Sequence, residues 1–285
     1  MEKKRYYHYL ELQPDQLAAA IQECPIAYIP FGAMEWHGEH MALGMDGLKA
    51  EELCRRTIER TGGVLFPCVY WGAFDAMKFP YTMHGAKRYQ FKLTRSSIEQ
   101  LYGWGFRVLV LLTGHYPPSW IKFLRKTAKK FHKKHKDAFI IATPEHALAL
   151  GLDYYGEHAA KFETAIMMSL YPDLVDLNKL PKGLSYVDRA ARHGVWGFDP
   201  CIHSTAELGD RVVDAIVNRL ANAINEAWAK KSQEPFDEIY DEFNAAMKEL
   251  HTISGAMKYS GMEEKADIRR ILKWIILERK KQRKD

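Results

Sequence analysis

One run constrains the fold more than any other: Val108-Leu109-Val110-Leu111-Leu112, preceded by Arg107 and followed by Thr113-Gly114-His115-Tyr116. A continuous apolar stretch of this length suits a central parallel strand covered on both faces. Such a strand needs a layer on each side. Shorter apolar pieces at 26–29 and 138–142, and a pair at 64–66 and 68–70 kinked at Pro67, read as its neighbours. Between them lie helical patterns at 15–23, 46–60, 94–102 and 120–135, while 71–78 reads as a loop. This alternation, sustained over 26–230, predicts an α/β protein: a three-layer α/β/α sandwich with a mostly parallel sheet.

The later part is more helical. Residues 145–156 are irregular. A helix then carries His158 near its start and Glu163 five positions later, ending at Tyr171-Pro172. Residues 178–203 read as loop-rich. A long helix follows to about 230, with Ser204 as candidate N-cap and Glu207 at capping-box distance. Gln233-Glu234-Pro235 marks a boundary, after which 236–250 and 263–283 read as two more helices. The expected organisation is one domain over 1–230 and a basic helical C-terminal extension over 231–285. Ile268, Ile271, Leu272, Ile275 and Ile276 in that extension need a surface, either the core domain or another subunit.

A chain of 285 residues with 47% hydrophobic and 27% charged residues is an ordinary globular one. It has no apolar run of membrane-spanning length, and its first residues are basic and aromatic, so a cytoplasmic location is expected. None of Cys24, Cys54, Cys68 and Cys201 forms a Cys-x-x-Cys pair, which argues against a zinc knuckle and for free thiols. Cys201 is either a small buried hydrophobe or a nucleophile. The net charge of +5 sits in residues 264–285, with nine basic residues against four acidic. Such a tail is a solvated helix end or a patch for nucleic acid or an anionic membrane, the solvated end being the ordinary case.

The chemistry concentrates in residues 29–46. Glu35, His37, Glu39, His40 and Asp46 fall just past the strand at 26–29, which Pro30 and Gly32 are expected to break. Open α/β sheets place their sites beyond strand C-termini. In an extended segment Glu35 and His37 point the same way, and Asp46 must fold back to join them. Carboxylates and imidazoles together suit Zn, Mn or Fe(II).

Four segments resemble the creatininase family, in family order. Glu35-Trp36-His37-Gly38-Glu39-His40 followed by Leu43-Gly44-Met45-Asp46 resembles its signature. Leu112-Thr113-Gly114-His115 resembles its Val-Asn-Gly-His. Gly156-Glu157-His158-Ala159 with Glu163-Thr164 resembles its Glu-His-Ala-Gly-x-x-Glu-Thr. Gly194-Val195-Trp196-Gly197 with Thr205-Ala206-Glu207-Leu208-Gly209 resembles its C-terminal segment. The resemblance implies two divalent cations held by Glu35, His37, Asp46 and His115, with Asp46 bridging. It implies hydrolysis of an amide-type C–N bond by activated water, His158 shuttling a proton to the leaving nitrogen. Glu163 is a further ligand or orients one, and Glu39 and His40 are bracing candidates. Tyr116, Tyr154 and Trp196 are candidate pocket walls for a small-molecule substrate. The family also implies a homo-oligomer, often a hexamer.

The chain departs from the family at three places. Phe79-Pro80-Tyr81-Thr82 has Tyr81 where Gly is common. Pro117 stands where creatininase has a metal-ligating Glu, and Tyr154-Tyr155 stand where it has Trp-Asp. Creatinine is therefore not the expected substrate; a cyclic amide or a formamide is equally compatible. Two rivals stay open: a one-metal hydrolase, and a non-catalytic protein on the same fold that binds an anion or nucleic acid through residues 264–285.

Overall fold

The computed structural model describes residues 6–71, 79–262 and 264–282. The loop expected at 71–78 lies, beyond Trp71, outside the described residues. Five strands form one sheet: β1 (Tyr6–His8), β2 (Ile26–Phe31), β3 (Gly63–Leu65), β4 (Val108–Thr113) and β5 (Phe139–Pro144). Their order is β1-β3-β2-β4-β5 and every pair is parallel. The central strand is β2, and β4 lies beside it as an interior strand paired on both edges; its sequence shows this in that all five residues 108–112 are fully buried.

Side-chain alternation splits the strands between two cores. Tyr28, Val110, Leu112 and Ile141 face α2 (Met45–Thr61), α5 (Lys161–Leu170) and α8 (Ala206–Lys230). Ile29, Leu109, Leu111 and Ile140 face α1 (Pro14–Glu23), α3 (Lys87–Trp104) and α4 (Pro118–Lys134). This is the expected three-layer sandwich. The chain leaves β2 along α2 on one face and leaves β4 along α4 on the other. The gap beyond their C-terminal ends is therefore the switch point of the sheet, where α/β proteins form a crevice.

Several boundaries differ from expectation. β2 runs on through Pro30 and Phe31, because the missing Pro30 N–H falls at the strand's end while its carbonyl still accepts from Val69 N at 3.0 Å. α3 begins seven residues earlier than expected. His158 precedes α5 and instead forms a backbone bridge with Trp196. The segment expected to be loop-rich contains α6 (Tyr186–His193) and the short α7 (Pro200–His203). α8 is capped by Thr205, whose Oγ1 accepts from Leu208 N at 3.1 Å, whereas Ser204 Oγ donates to Lys161 O.

After α8 come α9 (Glu234–Leu250), α10 (Ile253–Tyr259) and α11 (Lys265–Gln282). Phe236 and Ile239 of α9 join the first core. Ile271 of α11 packs on Tyr186 and Ala190 of α6, so this helix finds its surface within its own chain. Leu272 and Ile276 remain about half exposed at 52% and 54%. No helix among the described residues is long and apolar enough to cross a membrane.

Candidate metal centre

The ends of β2 and β4 press directly on the first turn of α2. A β-carbon on Gly32 would overlap the backbone of Gly47, and one on Gly114 would overlap the carbonyl of Asp46. Only glycine permits both approaches. Asp46 thereby sits in the first turn of α2, where the helix dipole favours a carboxylate. Glu35 N donates to Leu43 O at 2.9 Å, closing the loop that carries Glu35 and His37 back toward α2. The turn at Phe79 also reaches the site. Trp36 N donates to Thr82 Oγ1 at 3.1 Å, and Tyr81 takes φ 55°, a left-handed conformation natural for the glycine the family commonly has there.

Asp46 is central. Its Oδ1 lies 3.2 Å from His37 Nε2, and its Oδ2 lies 3.2 Å from His115 Nδ1. His115 Nδ1 is also 2.8 Å from Glu35 Oε2, and His37 Nε2 is 3.9 Å from Glu163 Oε2. His37 Nδ1 donates to Glu35 O at 3.0 Å, so Nε2 is the nitrogen turned to the carboxylates and the one a cation would take on displacing its proton. Three overlapping donor triads result: Glu35-Asp46-His115, His37-Asp46-Glu163 and Glu35-His37-His158. His158 Nε2 donates to Trp36 O at 3.0 Å, and its ring lies 4.2 Å from His37 and 5.1 Å from Phe79.

The electrostatics of this set ask for a cation. Burial would raise the Asp46 carboxyl, but His37 and His115 hold it far below the usual range; Glu35 is likewise buried yet lowered by His115. Burial would lower His37 and His115, but the facing carboxylates push them up to about 9 and about 10. Protons thus stand where a metal would compete with them. Glu35 Oε2, Asp46 Oδ2 and His115 Nε2 are buried without an aligned hydrogen bond. Orphaned donors and acceptors of this kind cost free energy unless a ligand satisfies them. The residues therefore fit divalent cations. His158 differs: burial and then His37 lower it, which favours the neutral imidazole, and with Nε2 donating to Trp36 O its lone pair is at Nδ1.

Around the triads lies a polar support that sequence reasoning missed. Lys49 Nζ, fully buried, lies 2.6 Å from Glu163 Oε1 and 2.8 Å from Glu145 Oε1. Tyr116 OH donates to the same Glu163 oxygen at 2.6 Å, and Glu163 Oε2 accepts from Ala159 N at 2.7 Å. Glu163 Oε2 faces His37 and joins it and Asp46 in one donor triad. A sequence signal for Lys49 exists: Met45, Lys49, Leu53 and Thr57 form one buried stripe on α2, and a lysine there must have partners.

Other expectations are relocated. Tyr116 and Trp196 line the cavity beside the triads, but Tyr154 is fully buried behind the wall, donating to Glu145 Oε1 at 3.0 Å. Its neighbour Tyr155 lines the cavity instead. His40 braces the loop through Thr164 Oγ1 at 2.9 Å, and burial first of all lowers it to about 3, so it stays neutral. Glu39 points away and pairs with His193 at 3.1 Å. Cys201 packs against an apolar cluster and is not among the residues lining the cavity, which favours the small buried hydrophobe over the nucleophile.

The cavity measures about 800 Å³, ample for a small molecule. The family model described as creatinine amidohydrolase matches residues 10–224. The creatinine amidohydrolase of Pseudomonas putida is 27% identical over 260 residues, covering 80% of this chain and 99% of that one. A solved creatininase in a Mn form is 25% identical with a TM-score of 0.61, covering 78% of this chain and 98% of its own. A mutant creatininase of Zn-Zn type gives 23% and 0.62, again covering 78% and 98%, a likeness of fold. The donor triads, their place at the switch point of the sheet and this match over three quarters of the length agree: the chain belongs to the creatininase family of amidohydrolases, which cleave amide C–N bonds.

Proposed function

We propose that the protein hydrolyses a cyclic amide or formamide of a small molecule at a site for two divalent cations, Zn, Mn or Fe(II). The observation that carries this reading is Asp46 offering one oxygen toward His37 and the other toward His115. Glu35, Asp46 and His115 would hold one cation, and His37, Asp46 and Glu163 the other. Bound cations supply Lewis acidity, which lowers the pKa of water and polarises a carbonyl oxygen. The chain's own groups do the rest. Lys49 and Tyr116 orient Glu163, and the Glu35 carbonyl fixes the His37 tautomer. His158, neutral and anchored on Trp36 O, takes a proton and returns it to the leaving nitrogen.

Creatinine is not the substrate in this reading, because Pro117 and the Tyr154-Tyr155 pair alter the ligand set and the wall. The four free cysteines suit a reducing, cytoplasmic setting. The half-exposed Leu272, Ile276 and Leu277 of α11 suit burial against another subunit of a homo-oligomer, a hexamer being the family's habit. The domain runs over 1–230 with 231–285 as its extension.

Elemental analysis of wild type and Asp46→Ala tests the centre. Nearly two ions per chain, mostly lost in the variant, is the expected result. About one ion would select the single-metal hydrolase. No metal after incubation with Zn, Mn or Fe(II) would end the hydrolase reading in favour of an anion-binding protein.

A further inference from the structure

The cavity extends well beyond the triads, and its outer wall is built by residues past the family match, which ends at 224. α9 supplies Phe243, Asn244 and Met247, and α11 supplies Ile275. Beside α9, α4 turns Pro118, Ile121, Lys122 and Arg125 to the cavity, a spacing of three and four that marks one helix face. Arg125 lies seven positions after Pro118, about 10 Å along the helix.

Arg125 is the unusual group on that wall. Its Nη1 donates to Asn244 Oδ1 at 2.9 Å, and its guanidinium carbon lies 4.3 Å over the Phe243 ring and 5.0 Å over that of Tyr240. α9 therefore fixes the plane of the guanidinium. Nε and Nη2 are buried and have no hydrogen-bond partner. Burial lowers the proton affinity of the group, and no carboxylate among the described residues opposes it. Within the cavity the acidic groups are Glu35, Asp46, Glu157 and Glu163, all at the metal centre or the turn beside it; α4 and the extension contribute none.

Nε–H and Nη2–H lie along one edge of a guanidinium and point the same way. That edge is the side-on fork that receives two oxygens of a carboxylate or phosphate. The residue as a whole is half-buried, but the two N–H groups of that edge are shut off from solvent, and unpartnered donors there cost free energy unless a ligand's oxygens satisfy them. We propose that Arg125 is the anion subsite of the pocket: the substrate carries its amide at the donor triads and a carboxylate or phosphate on the Arg125 fork, which the C-terminal extension holds in place through Asn244 and Phe243. The amide end rests on the hydrolase reading; recognition of the anion does not.

The test uses the full-length metal-loaded protein and three probes at fixed ionic strength: 6-formamidohexanoate, its methyl ester, and 5-formamidopentyl phosphate. Binding is measured by calorimetry on wild type, Arg125→Gln, Arg125→Lys and Asn244→Ala. One charge-assisted bidentate contact predicts that an anionic probe binds wild type at least about tenfold tighter than the ester. Arg125→Gln should abolish that preference with metal content unchanged, Arg125→Lys should restore part of it, and Asn244→Ala should weaken the anionic probe alone. Whichever anion gains more identifies the source as carboxylate or phosphate. Equal binding of acid, phosphate and ester to wild type, including no binding of any, would overturn the subsite, as would a preference that survives Arg125→Gln. Absent metal or absent formamide cleavage, with the Arg125-dependent preference intact, would remove the hydrolase reading and leave the subsite standing.

Discussion

Gly114 and Asp46 are in backbone contact: a β-carbon on Gly114 would fall within 2.9 Å of the Asp46 carbonyl carbon and 3.0 Å of Lys49 Cε. The end of β4 thus sets the position of the shared carboxylate on α2. Gly114→Ala must push one element off the other. The expected cost is about 1–3 kcal/mol of folding free energy. Metal affinity should fall by about 10–100-fold, as when a group orienting a ligand is lost. Urea unfolding and metal titration measure the two separately. Unchanged metal affinity would mean that Asp46 is positioned by other contacts.

Much of this architecture was readable from pattern. The apolar run at 108–112 located an interior strand, next to the central β2, because it is covered on both faces, and the residues just past 29 and 112 located the crevice. Glu35, His37, Asp46 and His115 announce themselves as ionisable groups beside glycine turns. What escaped was set by packing across the chain. Lys49 and Glu145 are 96 positions apart in sequence and meet only when α2 and the turn after β5 fold together. Tyr154 and Tyr155 are adjacent, and no periodicity tells which one faces the cavity. β1 is three residues long and owes its existence to pairing with β3, so local sequence carries little trace of it.

The buried Lys49 makes a second prediction. It pairs with Glu145 and Glu163, and without it both buried carboxylates lose the ammonium between them, although Glu163 keeps His37, Tyr116 OH and the Ala159 N–H. Burial already raises Glu145 to about 7 despite the ammonium beside it. Lys49→Met should therefore destabilise the protein by about 3–5 kcal/mol. Adding Glu145→Gln should recover part of that loss, because one of the stranded charges is then gone. Equilibrium denaturation of the single and double variants reads the difference. A double variant no more stable than the single one would put the cost in packing, not charge.

His146 predicts how stability responds to acid. Burial first, then Lys49 and Arg125, lowers it from 6.5 to about 3. The unfolded chain binds a proton there below pH 6.5 while the folded one does not. Stability is thus undiminished above pH 6.5 and is lost as pH falls from 6.5 toward 3. One such group contributes a slope of about 1.4 kcal/mol per pH unit in that window. Unfolding free energies measured between pH 7 and 5 should show it, and His146→Gln should flatten the dependence by roughly one proton. A dependence identical in the two proteins would place the acid sensitivity elsewhere.

The last prediction concerns how far the extension shapes the reaction site. Trp274 of α11 lies 5.7 Å from Trp196 between ring centroids, and Trp196 exchanges backbone hydrogen bonds with His158 at 3.1 and 2.7 Å. Trp196 therefore links the extension to the candidate proton carrier. Trp274→Ala removes an aromatic contact of about 0.5–1.5 kcal/mol and leaves Trp196 with one less wall. The backbone bridge does not depend on that ring, so His158 keeps its anchor on Trp36 O. Substrate fit should suffer more than chemistry: on the best substrate from an amide panel, KM should rise several-fold while kcat changes little and metal content stays constant. A fall in kcat with KM unchanged would instead show that α11 acts through His158, and the extension would then belong to the proton path and not to the binding wall.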